Sequence, residues 1–206
     1  MSFDPEPQRF DPDAAPVIAE GIHVYVGTTG TGKTFKALHD LEALHDSTAD
    51  RGALIVDSVG SPTLREIEQV PDLRTGIERV WGEGDIVRWI PSDEGENDAQ
   101  ADFRRLMKAL LAGGNVRVLI DEISFWARNP EMLKLARVWR NANTTLLLTG
   151  QHLSADFGQS ILSCNPTVYV FRLSAPAGIE FAVRWLRISE EENAALGMGE
   201  FIERRF

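Results

Sequence analysis

Eight residues near the start of the chain, Gly27-Thr28-Thr29-Gly30-Thr31-Gly32-Lys33-Thr34, follow the pattern G-x-x-x-x-G-K-[ST]. The spacing has a chemical reason. A triphosphate is held by several backbone N–H groups converging on its oxygens, and glycines let the backbone wrap that closely without a Cβ clash. Lys33 would then reach the β and γ phosphates and the Thr34 hydroxyl would ligate Mg²⁺. A helix starting there would aim the positive end of its dipole at the same anion. Downstream, the apolar run Val116-Arg117-Val118-Leu119-Ile120 ends in two carboxylates, Asp121 and Glu122. Asp121 would hold the hydration shell of Mg²⁺. Glu122 would orient and deprotonate a water for attack on the γ-phosphate, which is hydrolysis rather than transfer to a substrate hydroxyl. Gln151, closing the run Thr144 to Thr149, would sense the γ-phosphate or hold that water through an amide that both donates and accepts. Each has a plainer reading: a strand-capping aspartate, a solvated glutamate, a strand-end amide. His152 reads as a packing or loop histidine, and the lone Cys164 as a buried packing residue.

These groups must be positioned by strands and helices in alternation. Ile22 to Val26 reads as a strand before the glycine-rich loop, and Phe35 to Leu44 carries apolar residues at helical spacing, the helix ending near Asp46-Ser47-Thr48. Ala53 to Val56 is a second buried strand, followed by a helix over Thr63 to Gln69. Asp85 to Pro91 is a third, then an acidic loop from Ser92 to Asp98. Phe103, Leu106, Met107 and Leu110 define an amphipathic helix over Ala99 to Leu111. Further strands are expected at Val116 to Glu122, Thr144 to Thr149 and Thr167 to Phe171, with a helix over Pro130 to Arg140. The closing segment reads as a helix from Gly178 to Leu186, an acidic turn and a short ending from Gly199 to Phe206. Continuous apolar strands alternating with helices predict a mostly parallel central sheet covered on both faces; with the glycine-rich loop between the first strand and helix, the expectation is an α/β fold of the P-loop NTPase class.

A chain of 206 residues fits one domain, residues 18–206, preceded by an extended arm over residues 1–17, where four prolines accompany four acidic groups. No apolar run reaches the roughly 20 residues that span a bilayer, and the acidic, proline-rich start is unlike a signal peptide, so a cytoplasmic protein is expected. The net charge of −10 argues against binding nucleic acid with the whole surface but leaves room for a local basic patch, such as the lining of an oligomeric pore. Candidate phosphate contacts are Arg104, Arg105, Lys108, Arg204 and Arg205, for which plain solvation is the alternative.

Arg140 precedes the Gln151 strand and should fall at the opposite edge of the sheet, out of reach of its own nucleotide but within reach of a neighbour's, as an arginine finger. Arg137 competes for that role, and a surface arginine is the third reading. Trp126 and Trp139 read as core or interface packing. From Ile22 to Phe206 the chain resembles the HerA/FtsK branch of P-loop ATPases, which pump nucleic acid. The resemblance rests on the loop, on Ile55-Val56-Asp57, on the stretch from Leu135-Ala136-Arg137 to Gly150-Gln151 with Arg140 eleven residues before Gln151, and on Ile161-Leu162 with Val168 to Leu173. Within that branch it is most like the genome-packaging ATPases of tailless, membrane-containing icosahedral viruses. The resemblance implies a RecA-like core of the ASCE type, with the glycine-loop, Gln151 and Asp121 strands adjacent. It further implies ATP and Mg²⁺ as ligands, a homo-oligomeric ring (pentamer or hexamer), double-stranded DNA as cargo, and a capsid vertex or portal component as partner. The protein would work in the host cytoplasm or with the virion. A small P-loop kinase and a nucleotide-dependent assembly protein without turnover are the competing classes.

Overall fold

The computed structural model describes residues 6–14, 18–48, 51–91, 96–126, 129–152, 157 and 161–205. Residues 1–5 and 15–17 of the expected arm, 92–95 of the expected acidic loop, and Phe206 lie outside the described residues. The strands are β1 (Gln8–Arg9), β2 (Ile22–Val26), β3 (Ala53–Asp57), β4 (Gln69–Val70), β5 (Ile86–Trp89), β6 (Arg117–Asp121), β7 (Thr145–Gly150), β8 (Thr167–Phe171) and β9 (Glu200–Arg205). They form one sheet in the order β1-β9-β8-β2-β7-β6-β3-β5-β4, parallel from β8 to β4, with β9 antiparallel to β8. The strand before the glycine-rich loop therefore neighbours the Gln151 strand, which neighbours the Asp121 strand, as the resemblance implies.

The helices are α1 (Lys33–Ser47), α2 (Leu73–Gly82), α3 (Glu96–Gly113), α4 (Pro130–Val138), α5 (Pro176–Phe181, continuing as a π turn over Ala182–Leu186) and α6 (Glu190–Ala195). Strand alternation distributes them. Ile22, Val24 and Val26 point into the larger core, under residues of α2 to α5, while Tyr25 points with Leu119 and Leu147 into a smaller core beneath α1. α1 is fixed there by a buried ion pair. Lys36 donates to Asp40 Oδ1 and Oδ2 at 2.9 and 2.8 Å, Tyr25 donates its hydroxyl to Asp40 at 2.7 Å, and the ammonium lies over Tyr169, Phe201 and Phe10. Phe10 belongs to the arm. Gln8 and Arg9 pair with Phe201 and Glu200, and the Phe10 N–H donates to the Gly199 carbonyl.

At the N-terminal ends of the strands, Arg117 is fully buried. It donates to the carbonyl of Arg51 at 2.8 Å, to Glu20 at 3.0 Å and to the Thr48 hydroxyl, while Arg51 donates to Glu20 at 2.7 Å. Trp126 stacks on Phe103 with centroids 4.2 Å apart and donates to Ser58 at 2.8 Å; Trp139 packs at the margin of the larger core.

Four expectations are corrected. In place of a helix over Thr63 to Gln69, a 3-10 turn (Pro62–Leu64) leads into β4, because only Leu64 is fully buried there and the Glu68 carbonyl accepts from the Arg88 N–H beside β5. The helix lies further on, as α2, where Asp72 accepts from the Thr75 N–H at 2.8 Å as N-cap. The acidic turn is α6, opened by a capping box in which Ser189 and Glu192 satisfy each other's backbone N–H. The short ending is β9. Cys164 is half-buried at the core margin, where burial pushes its thiol pKa up.

Candidate active site

The glycine-rich loop leaves β2 between two neighbouring strands that hold it. Gly27 N–H donates to the Gly150 carbonyl at 3.2 Å and Thr28 N–H to the Arg172 carbonyl at 2.9 Å. A side chain at Gly27 would bring a Cβ within 2.6 Å of the Phe171 Cβ, so glycine is required for the loop to start this close to β8. Thr31 returns its hydroxyl to the Thr28 carbonyl at 2.7 Å, and Gly32 takes φ +94° before α1 begins. The Thr31 carbonyl accepts from the Gly199 N–H at 3.1 Å, so the turn before β9 braces the loop from outside. The first N–H groups of α1 have no intrahelical acceptor and stand at the head of the loop.

Asp121 ends β6 two strands from β2, and its carboxylate meets that helix head. Thr34 donates to Asp121 Oδ1 at 2.9 Å and Thr149, on β7 between them, donates to the same oxygen at 2.7 Å. Burial raises the Asp121 pKa above the ordinary carboxylate range, opposed by these two bonds and by the Lys33 charge. Glu122 follows in a left-handed conformation (φ 57°, ψ 70°), which is uncommon for a residue with a Cβ. Its N–H donates to the Thr149 hydroxyl at 2.9 Å; its carboxylate accepts from Gln151 Nε2 at 2.9 Å and Ser124 Oγ at 3.0 Å. A hydroxyl and a carboxylate on one point are hard oxygen donors of the kind Mg²⁺ takes together with phosphate oxygens, so this pair fits the ion the sequence implies.

The loop and these carboxylates open on one cavity of about 760 Å³, lined among others by Gly30, Lys33, Thr34, Asp121, Glu122, Ser124 and Gln151, with Thr149 buried behind it. Its rim is apolar: Phe35, Val59 and Phe125 are each about half exposed. His152 lines the cavity too. Arg140 is not there. It is exposed in the turn before β7, with its guanidinium 5.1 Å from the Trp139 ring, beside a separate hollow of about 330 Å³ that Arg137 also lines. The length of β7, roughly 17 Å, separates it from Gln151. Of the other basic candidates, Arg204 is engaged with the Leu186, Arg187 and Glu203 carbonyls, Arg205 with Glu203 and Arg105 with Asp102; Arg104 and Lys108 are exposed.

Sequence reasoning missed Thr149, a buried hydroxyl in an otherwise apolar strand, which was the available signal; it also missed Ser124 and the apolar rim. Asp57, singled out only by resemblance, is fully buried in register with Asp121, accepts from the Ser61 N–H at 2.9 Å and faces Arg88 at 3.5 Å.

No protein-family model and no curated protein matches the sequence. Solved structures do match its fold. The genome packaging NTPase B204 from Sulfolobus turreted icosahedral virus 2, in complex with ATP-gammaS, is 17% identical over 95% of this chain and 94% of that one, with a TM-score of 0.71. B204, the DNA-packaging ATPase from Sulfolobus turreted icosahedral virus, is 18% identical over 86% and 88%, with a TM-score of 0.64. VirB4 of Thermoanaerobacter pseudethanolicus is 11% identical over 89% and 88%, with a TM-score of 0.61. The fold is that of the P-loop ATPases.

Proposed function

We propose that this chain is a Mg²⁺-dependent ATPase, the subunit of a homo-oligomeric ring, pentameric or hexameric, that drives double-stranded DNA into a viral capsid. The observation that carries this reading is the Glu122 carboxylate, held between Gln151 and Ser124 one residue beyond Asp121 and facing the head of the phosphate loop. The loop from Gly27 to Thr34 wraps the phosphates, its first two N–H groups anchoring it to Gly150 and Arg172 and later ones facing the anion; Lys33 adds its charge, and Thr34 with Asp121 would hold Mg²⁺, which would supply neutralisation of phosphoryl charge. Glu122 accepts the proton of the attacking water. Gln151, bonded to Glu122, couples that carboxylate to β7, and Arg140 reaches across to the site of the next subunit.

The motor reading draws support from the names of the fold neighbours, two of which are genome- or DNA-packaging enzymes. Among the described residues no helix is long and apolar enough to cross a membrane, which fits a ring working in the host cytoplasm or on the virion against a vertex or portal component. The arm of residues 1–17 and the ATPase domain of residues 18–206 divide the chain in this reading.

The test is ATP hydrolysis by the purified protein with and without double-stranded DNA, over a range of protein concentration, with Glu122→Gln as control. Turnover that rises with DNA and with concentration and vanishes in the variant supports the motor. Consumption of ATP only with a small acceptor makes the protein a kinase, and binding without turnover makes it an assembly switch.

A further inference from the structure

We infer that the ring of Phe35 is the platform on which the nucleobase of the bound nucleotide rests, an assignment that presupposes the nucleotide site proposed above. A nucleotide is anionic at one end and a flat, apolar ring at the other. The cavity lining offers both kinds of surface: the polar Lys33, Thr34, Asp121, Glu122 and Gln151, and the half-exposed apolar Phe35, Val59 and Phe125. Of these three, Phe125 lies three residues past Glu122, at the hydrolytic end. Val59 follows Asp57 on the strand paired with that of Asp121, and so belongs to the same side. Phe35 alone stands on the first turn of α1, one residue beyond Thr34, where its own N–H is the next in line along the phosphates.

The ring is 49% exposed, yet it is held. Phe10 meets it edge-on, with centroids 5.4 Å apart and planes at 84°, and Phe10 is itself fixed against His39 at 5.1 Å and by its N–H bond to Gly199. Gly199 in turn donates to Thr31 of the phosphate loop. An aromatic ring kept in place from behind, with half its surface left to a ligand cavity, is built to be covered by another flat apolar group. Stacking reads the π face shared by all bases, so the platform serves adenine and guanine nucleotides alike.

The experiment is calorimetric titration of the full chain, in Mg²⁺, with ATP, GTP and inorganic tripolyphosphate, for the unaltered protein, Phe35→Ala, Phe35→Trp and Lys33→Ala. Phe35→Ala should weaken ATP and GTP together by roughly ten- to a hundredfold, the usual value of one base on one aromatic ring. Tripolyphosphate, which has no base, should bind it as before, and Phe35→Trp should keep nucleotide affinity. A half-exposed side chain can be shortened without unfolding the chain, and an unchanged melting temperature checks this. Equal losses for ATP and tripolyphosphate would overturn the assignment, since the ring would then be supporting the loop. No loss for either would overturn it as well, since the ring would then face some other surface, such as a second copy of this chain. Should Lys33→Ala bind all three ligands normally, the nucleotide site itself would fall, a failure distinct from that of the base platform.

Discussion

Replacing Thr149 by valine removes one hydroxyl and almost nothing else, because valine has the shape of threonine and favours the same strand conformation. That hydroxyl is fully buried and does two jobs at once: it donates to Asp121 Oδ1 at 2.7 Å and accepts from the Glu122 N–H at 2.9 Å. A bond to a charged carboxylate contributes about 1.5–3 kcal/mol and an amide bond about 1, so the unliganded protein should lose about 2–4 kcal/mol. For a chain of this length that is a fall in melting temperature of roughly 5–15 °C. The chemical consequence is separate. Glu122 holds a left-handed backbone that costs on the order of 1 kcal/mol, and the Thr149 bond helps to keep it there. Freed from that bond, the carboxylate drifts from the position that the proposed hydrolysis needs, and a misplacement of about 1 Å is enough for a loss on the order of a hundredfold in turnover. Hydrolysis should be followed at a temperature where both proteins are folded, with nucleotide affinity measured alongside. The expected result is a collapse of kcat with affinity nearly kept, and recovery in Thr149→Ser. Normal turnover in Thr149→Val, or equal damage in Thr149→Ser, would refute the reasoning.

Other perturbations reach other parts of the molecule. Arg140→Ala should bind nucleotide normally but lose any gain in turnover on assembly; a normal concentration-dependent gain in that variant would remove the finger assignment. Arg117→Ala takes the buried donor from the Arg51 carbonyl and leaves Glu20 with Arg51 as its remaining ion-pair partner, and should cost about 1.5–3 kcal/mol in denaturant unfolding. Burial holds the His23 ring below the usual imidazole range, with Nε2 at 2.8 Å from the Ala19 carbonyl and Nδ1 buried without a hydrogen-bond partner among the described residues. The unfolded chain therefore takes up that proton first as pH falls, so stability is intact above the ordinary histidine value of 6.5 and declines below it until the folded ring titrates. Unfolding free energies at pH 7.5 and 5.5 should show this loss, at most about 1.4 kcal/mol per pH unit, and His23→Phe should lack it.

What could be read in the sequence and what could not divides along physical lines. The central strands were legible because each is buried on both faces and so is written as an unbroken apolar run, as in Val118-Leu119-Ile120 or Leu146-Leu147-Leu148. The glycine-rich loop, Asp121, Glu122 and Gln151 were legible because each stands at a fixed offset from such a run. α2 was passed over because Gly76 and Gly82 interrupt its pattern, although Asp72 with Thr75 is a capping signal. α6 was hidden by Glu190-Glu191-Glu192, which looks like a solvated turn until Ser189 is seen to stand three residues before Glu192. Thr149 was legible only as a hydroxyl in an apolar run; its role was not, since its two bonds join residues 28 and 27 positions away and exist only once β6 and β7 are side by side.

The position of β2 in the sheet has a consequence in time. Ile22 pairs with Leu146 and His23 with Thr167, so the strand that launches the phosphate loop has both partners far downstream in the chain. The loop is braced by still later residues, through Gly199. At about 5–20 residues per second of synthesis, the strand at Ile22 waits roughly 6–25 s for its first neighbour. Contacts of such sequence separation also close slowly in a free chain, because the loop entropy must be overcome before they gain anything. Ligand binding is thus among the last properties the molecule acquires, and nucleotide added during refolding should stabilise the finished fold without hastening the steps that precede it.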